Sequence, residues 1–253
     1  MGVAGTDYST YLKINDLLTL QVPLTPEAPD ELLFIVVHQS YELWFMVIID
    51  ELRRANDALW ANEPWNATRQ LQRMVAIEDL LIQHLRVLET MSPEGFLEFR
   101  DPLDPASGFQ SLQFRAIEFL SGGGNTAMLS FRLFDDQQRQ WLREVSEAPS
   151  LMGGFEFSLR HALEADDQTP TLDVVRALYR DHRSAATSAL HQVAELMMDH
   201  DERLAMWRHQ HMLMAGRQIG RRPGTGGSEG MAYLDTTLSQ RLYPVLWDLR
   251  SVL

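Results

Sequence analysis

Apolar residues recur at intervals of three and four along nearly all of this 253-residue chain, and no sustained run alternates apolar with polar at every second position. Such spacing turns one face of a segment toward a core only if the segment is helical, so the sequence predicts an all-α protein, a helical bundle. A content of 45% hydrophobic residues suffices for a sizeable core, and no repeat, low-complexity tract or compositional break divides the chain, which reads as a single domain over residues 1–253. A short helix is expected around Tyr11 to Leu20, ended by the prolines of QVPLTPEAPDE. A long helix should run from Asp30 and Glu31 to about Ala61, with an antiparallel neighbour beginning near Pro64. Prolines and Gly108 break MSPEGFLEFRDPLDPASG into a short helix and a turn. SLQFRAIEFL resumes the helical pattern up to Gly122-Gly123-Gly124, and shorter segments run on to about Ala165. Two long helices are then expected, about Leu172 to Asp199 and Asp201 to Ile219, and a final one around Thr237 to Leu249.

The formal net charge of -13 and the lack of a basic stripe argue against a nucleic-acid partner. The absence of cysteine excludes disulfides, thiolate metal sites, a catalytic thiol and covalent haem attachment, so any redox metal must be held by histidine, carboxylate or methionine. MGVAGTDYSTYLKIND has no basic stretch followed by an apolar one, which predicts a cytoplasmic protein without a secretory signal. LLFIVVHQSYELWFMVII, Leu32 to Ile49, nears membrane-span length, but His38, Gln39, Ser40 and Glu42 interrupt it, and it reads as a bundle helix, not a membrane partner.

The common metal and nucleotide templates are missing: the chain has no H-E-x-x-H, no di-iron Glu-x-x-His and no P-loop. GGSEG spells a nucleophile elbow around Ser228, but an elbow needs a preceding strand, and the sequence offers none. GTGGSEG follows a helix, with the wrong spacing for a dinucleotide loop. In WRHQHMLMAGRQIG, His209 and His211 point roughly 200° apart around a helix, so they cannot chelate one ion together. His211 shares its face with Leu204, Trp207, Met214, Ala215 and Ile219, either a core stripe or the wall of a flat hydrophobic cofactor. His38, amid FIVVHQSYELWF, is either a bonded core histidine or a pocket residue. Arg100 ends a short helix just before Pro102; there its fork either clamps a carboxylate or makes a surface ion pair. Arg221 and Arg222 are equally open. One or two buried histidines in a cysteine-free helical chain suit non-covalent haem binding.

YSTYLKINDLL, FIVVHQSYELWF, SPEGFLEFRDPLDPASGFQSLQFRAIEFL, LREVSEAPSL and MWRHQHMLMAGRQIGRRPGTGGSEGMAYLDTTLSQRLYPVLWDLRSVL together resemble the tryptophan 2,3-dioxygenase family, in chain order and over nearly the whole length, with SGFQSLQFR and GTGGS highly specific matches. The resemblance implies haem b held between helices of an all-α bundle, O2 as co-substrate, tryptophan or a close analogue as the small-molecule substrate, and a homo-oligomer, usually a tetramer. It implies His211 as proximal iron ligand, His38 as the distal histidine meeting the indole N–H, and Arg100 with Thr225 as holders of the amino-acid end. It further implies Phe34 and Phe96 along the indole, Ser107 and Gly108 at the haem edge, and Tyr8, Tyr11 and Leu12, within a segment 1–25, completing a neighbouring subunit's pocket. Two departures stand out: a trimmed region between Ala165 and Met206, and a distal segment, VVHQSYELWF, unlike the usual family pattern. Insertion of two oxygen atoms to an N-formylkynurenine-type product, insertion of one to an oxindole-type product, and non-catalytic haem sensing stay open at this point.

Overall fold

In the computed structural model, residues 7–226 and 230–253 are described; Ser228 of GGSEG lies outside them. Among the described residues the regular structure is helical throughout, without strands. Two short helices, α1 (Tyr8–Leu12) and α2 (Ile14–Leu17), replace the single one expected around Tyr11 to Leu20, because Lys13 between them adopts a left-handed conformation. α3 (Glu31–Trp60) and α4 (Pro64–Leu88) follow as predicted, joined by a short turn in which Pro64 takes the first helical position, where its missing N–H costs nothing. Glu31 does not cap its own helix. It is buried, and its carboxylate accepts from the N–H groups of Leu24 and Thr25, tying the extended segment back onto α3.

α5 (Pro93–Arg100) is capped by Ser92, continues as one 3-10 turn (Asp101–Leu103), and is followed by a second at Gly108–Gln110. α6 (Leu112–Ser121) is capped by Ser111 and stops at Gly122, whose φ of 112° favours glycine. α7 (Asp136–Glu147) starts on a capping box of Asp135 and Gln138, and α8 (Leu151–Ala162) on Ser150. α3 packs on α4, α6 and α8, while α10 (Ala185–Ile219) lies along α4. Leu52, Leu59, Leu71, Met74, Val193 and Met197 fill the core between these helices.

Two expected boundaries fail. The helix predicted over Leu172 to Asp199 divides into α9 (Thr171–Arg180) and the start of α10, which Ser184 caps through the N–H of Thr187. α10 then runs without a break through Asp199-His200-Asp201, a polar run that resembles a helix boundary. Asp199 pairs with Arg203 one turn on in the same helix, and the other two side chains serve tertiary contacts. His200 bonds Glu78 and Ser121, and the Asp201 carboxylate accepts from the N–H groups of Leu242 and Tyr243 and from the Trp247 indole. The same contacts break the predicted final helix. α11 (Met231–Thr236) ends before the predicted start, and the Asp201 carboxylate takes two backbone donors just before Pro244, so α12 (Pro244–Leu249) alone forms within the helix predicted over Thr237 to Leu249. Asp201→Ala would leave three donors around a fully buried carboxylate unpaired, and should lower unfolding stability by about 3 kcal/mol or more, measured by urea denaturation. A loss below about 1 kcal/mol would show that water replaces the carboxylate.

α3 is long and apolar enough to cross a membrane by length and composition. One face instead packs within the bundle, while Leu32, Val36, Leu43 and Met46 are exposed on the chain taken alone.

Candidate active site

A cavity of about 290 Å³ opens between α3, α5, α6, α10 and α11, where the first half of α3, the second half of α10 and the loops after α5 and α10 converge. Its wall includes Phe34, His38, Phe96, Arg100, His211 and Thr225, and also Ser107 and Gly108. Residues spread over most of the sequence therefore meet in one place.

His38 contributes its accessible surface to the cavity wall. Desolvation by the surrounding protein lowers its pKa, outweighing the Phe34 carbonyl and the charge of Glu42, which raise it. Its Nδ1 lies 2.7 Å from the Phe34 carbonyl, one helical turn back. A carbonyl only accepts, so Nδ1 carries the proton and Nε2 is left as a lone-pair acceptor without a protein partner among the described residues. Phe34 packs against the ring at 4.0 Å and against Phe96 and Phe99 at 5.8 and 5.4 Å, an aromatic wall beside that acceptor.

His211 faces the same cavity from α10. Burial, with a smaller contribution from His38, lowers its pKa to about 4, so it is neutral at pH 7. Neither ring nitrogen has a hydrogen-bond partner among the described residues. Its ring stacks on Trp207, four residues earlier, with centroids 5.0 Å apart and planes 9° from parallel. His209 is exposed and does not line the cavity, as expected for two histidines on opposite sides of a helix.

Arg100 projects from the end of α5 and donates to the Pro223 carbonyl at 2.6 Å; the carboxylate paired with it among the described residues, Asp101, is 3.7 Å away and almost fully exposed. The Thr225 hydroxyl donates to the Ala106 carbonyl at 2.6 Å. Gly226 lies so close to the α5–α6 loop that a Cβ there would fall 2.5 Å from the Ser107 Cβ. These contacts clip the loop after α10 onto the loop after α5 and set Arg100 beside Thr225 at the cavity mouth. Arg221 and Arg222 are exposed and outside the wall. Tyr8, Tyr11 and Leu12 are not brought to this cavity; both tyrosines are 74% exposed on α1.

Sequence reasoning missed the charged end of the cavity. Glu118 accepts from Arg115 at 2.7 Å and from Arg208 at 2.8 Å, all three side chains being nearly buried. One carboxylate thus faces two guanidinium groups, and Arg115 Nε is buried with no hydrogen-bond partner among the described residues. Arg115 and Glu118, three apart on α6, look from sequence like an ordinary exposed helical pair. The only available signal was that Glu118 falls between Ile117 and Phe119 in an otherwise apolar turn.

The sequence model of a family described as tryptophan 2,3-dioxygenase matches residues 1–169 and 160–253. The chain is 42% identical over 258 residues to a tryptophan 2,3-dioxygenase of Nocardioides sp., with 99% of this chain and 96% of that protein aligned. It is 39% identical over 260 residues to one of Caulobacter vibrioides, covering 97% and 98%, and 37% identical over 263 residues to one of Anaeromyxobacter dehalogenans, covering 99% and 97%.

Proposed function

The chain belongs to the tryptophan 2,3-dioxygenase family, and from that membership we propose that it inserts both atoms of O2 across the indole C2–C3 bond of L-tryptophan, giving an N-formylkynurenine-type product. The C2–C3 double bond is cleaved and each carbon gains one oxygen, so no outside reductant is consumed. The observation that carries the reading is the pairing, in one cavity, of a histidine acceptor with its tautomer fixed, His38, and a neutral histidine with no hydrogen-bond partner, His211.

The wall residues fit haem b. His211 offers a lone pair without a proton to displace, and the buried, unpartnered Nε of Arg115 beside Arg208 suits a carboxylate such as those haem carries. Haem bound there supplies the iron that binds and activates O2. The protein supplies position. His38 Nε2 accepts the indole N–H, Phe34 and Phe96 flank the ring, and Ser107 and Gly108 close the wall beside it. Arg100 grips the carboxylate with the part of its fork that Pro223 leaves free, and the Thr225 hydroxyl accepts from the ammonium group. Fixing both ends of the amino acid makes the encounter at C2 and C3 effectively unimolecular.

The working form is a cytoplasmic homo-oligomer, a tetramer as in the family, without nucleic acid or membrane partner. The exposed Tyr8, Tyr11 and Leu12 of α1 and the exposed apolar face of α3 support it, the segment 1–25 closing a neighbour's cavity. Protein reconstituted with haemin, reduced, loaded with L-tryptophan without oxygen and then mixed with O2 should yield a product heavier by two oxygen atoms. A product heavier by one overturns dioxygenation in favour of an oxindole, and no consumption of tryptophan overturns catalysis.

A further inference from the structure

The His211 imidazole lacks the anchor that a metal-ligating histidine ordinarily has. The second ring nitrogen of such a ligand usually donates to a carboxylate, carbonyl or water, which fixes the ring's orientation. Neither nitrogen of His211 has a protein partner among the described residues, and rotation about a Cβ–Cγ bond to an aromatic ring is soft. What meets the ring is Trp207, stacked at 5.0 Å and 9°. The indole itself is held from several sides. Its Nε1 donates to the Tyr41 hydroxyl at 3.2 Å, that hydroxyl donates to the Leu81 carbonyl at 2.5 Å, and the rings of Phe114 and Tyr41 pack on it at 5.2 and 6.1 Å. Tyr41 is buried, and desolvation raises its pKa far above the ordinary phenol value, so the hydroxyl keeps its proton and both of its hydrogen bonds.

We propose that Trp207 and Tyr41 are positioning residues for His211: the indole holds the imidazole plane by stacking, and Tyr41 locks the indole. The inference rests on the reading of His211 as the iron ligand. Tyr41 sits three residues after His38 on α3. One turn of α3 therefore places His38 and, through Tyr41 and Trp207, orients His211. A shift of α3 would disturb both sides of the cavity together.

Free imidazole can replace the side chain of His211→Gly, so the stacking surface is testable apart from the fold. In haemin-loaded His211→Gly, added imidazole should bind saturably, read as a Soret shift. Adding Trp207→Leu should weaken that binding about two- to tenfold, the range of an aromatic stack, while Trp207→Phe should retain most of it. In chains that keep His211, Trp207→Leu and Tyr41→Phe should speed haemin loss to an excess of scavenging apo-globin by a similar factor, with Trp207→Phe closer to wild type. Equal imidazole affinities together with unchanged haemin loss in Trp207→Leu overturn the positioning role. A His211→Gly protein whose spectrum matches wild type and ignores imidazole overturns the ligand reading itself.

Discussion

His211→Ala is expected to abolish tight haemin capture: protein purified with haemin supplied should lose the Soret band that wild type shows. The effect should be large because the one other imidazole in the described wall, His38, stands on α3 and is assigned to the substrate; a residual, shifted band in the variant would report ligation through its open Nε2. His211 has no hydrogen bond among the described residues and is neutral at pH 7, so its loss leaves none of them unpaired, and the helical circular dichroism of the apoprotein should be unchanged. His209→Ala, on the exposed side of the same helix, is the control and should bind haemin as wild type does. An unchanged Soret band in His211→Ala would sink the assignment.

The second large effect belongs to Arg100. Removing it should cost about 2–5 kcal/mol of interaction with an amino-acid substrate, or roughly thirtyfold to several thousandfold in kcat/KM, mostly through KM. An indole without the carboxylate should be affected far less. The contrast is expected because Arg100 is held by one backbone carbonyl and has no close, buried carboxylate partner among the described residues. Equal losses on both substrates would show that the bond to Pro223 merely holds the loop in place, and that Arg100 is structural.

The long helices were legible because their apolar stripes and end signals agree: Pro64 opens α4, and Ser92, Ser111 and Ser150 each precede a helix they cap. The missing boundary inside α10 has a tertiary cause. Asp199-His200-Asp201 carries the residue types that end helices, and only their tertiary partners, Glu78, Ser121 and the turn at Leu242, show why the helix continues. At the site, periodicity gave each histidine a face and excluded a chelating pair, but it could not say that His38 and His211 share a cavity. That convergence depends on how α3 and α10 pack, and only the resemblance anticipated it. The Arg115–Glu118–Arg208 cluster and the Tyr41–Trp207 contact were hidden for a related reason: each joins helices distant in sequence through side chains that look locally unexceptional.

α10 is 35 residues long, about 52 Å at 1.5 Å per residue, and it is unbroken from Ser184 to Gly220. Asp201 pins it by rotation as well as position, since its carboxylate meets the chain at Leu242 and Tyr243 on one side only. His211 inherits that angle across ten residues of rigid helix. Inserting or deleting a single residue between them would turn the imidazole by about 100°, out of the cavity, without changing any residue that lines it. Adding two whole turns would preserve the angle yet carry the ring about 10 Å along the axis. In this stretch of chain the number of residues is as tightly constrained as their identity.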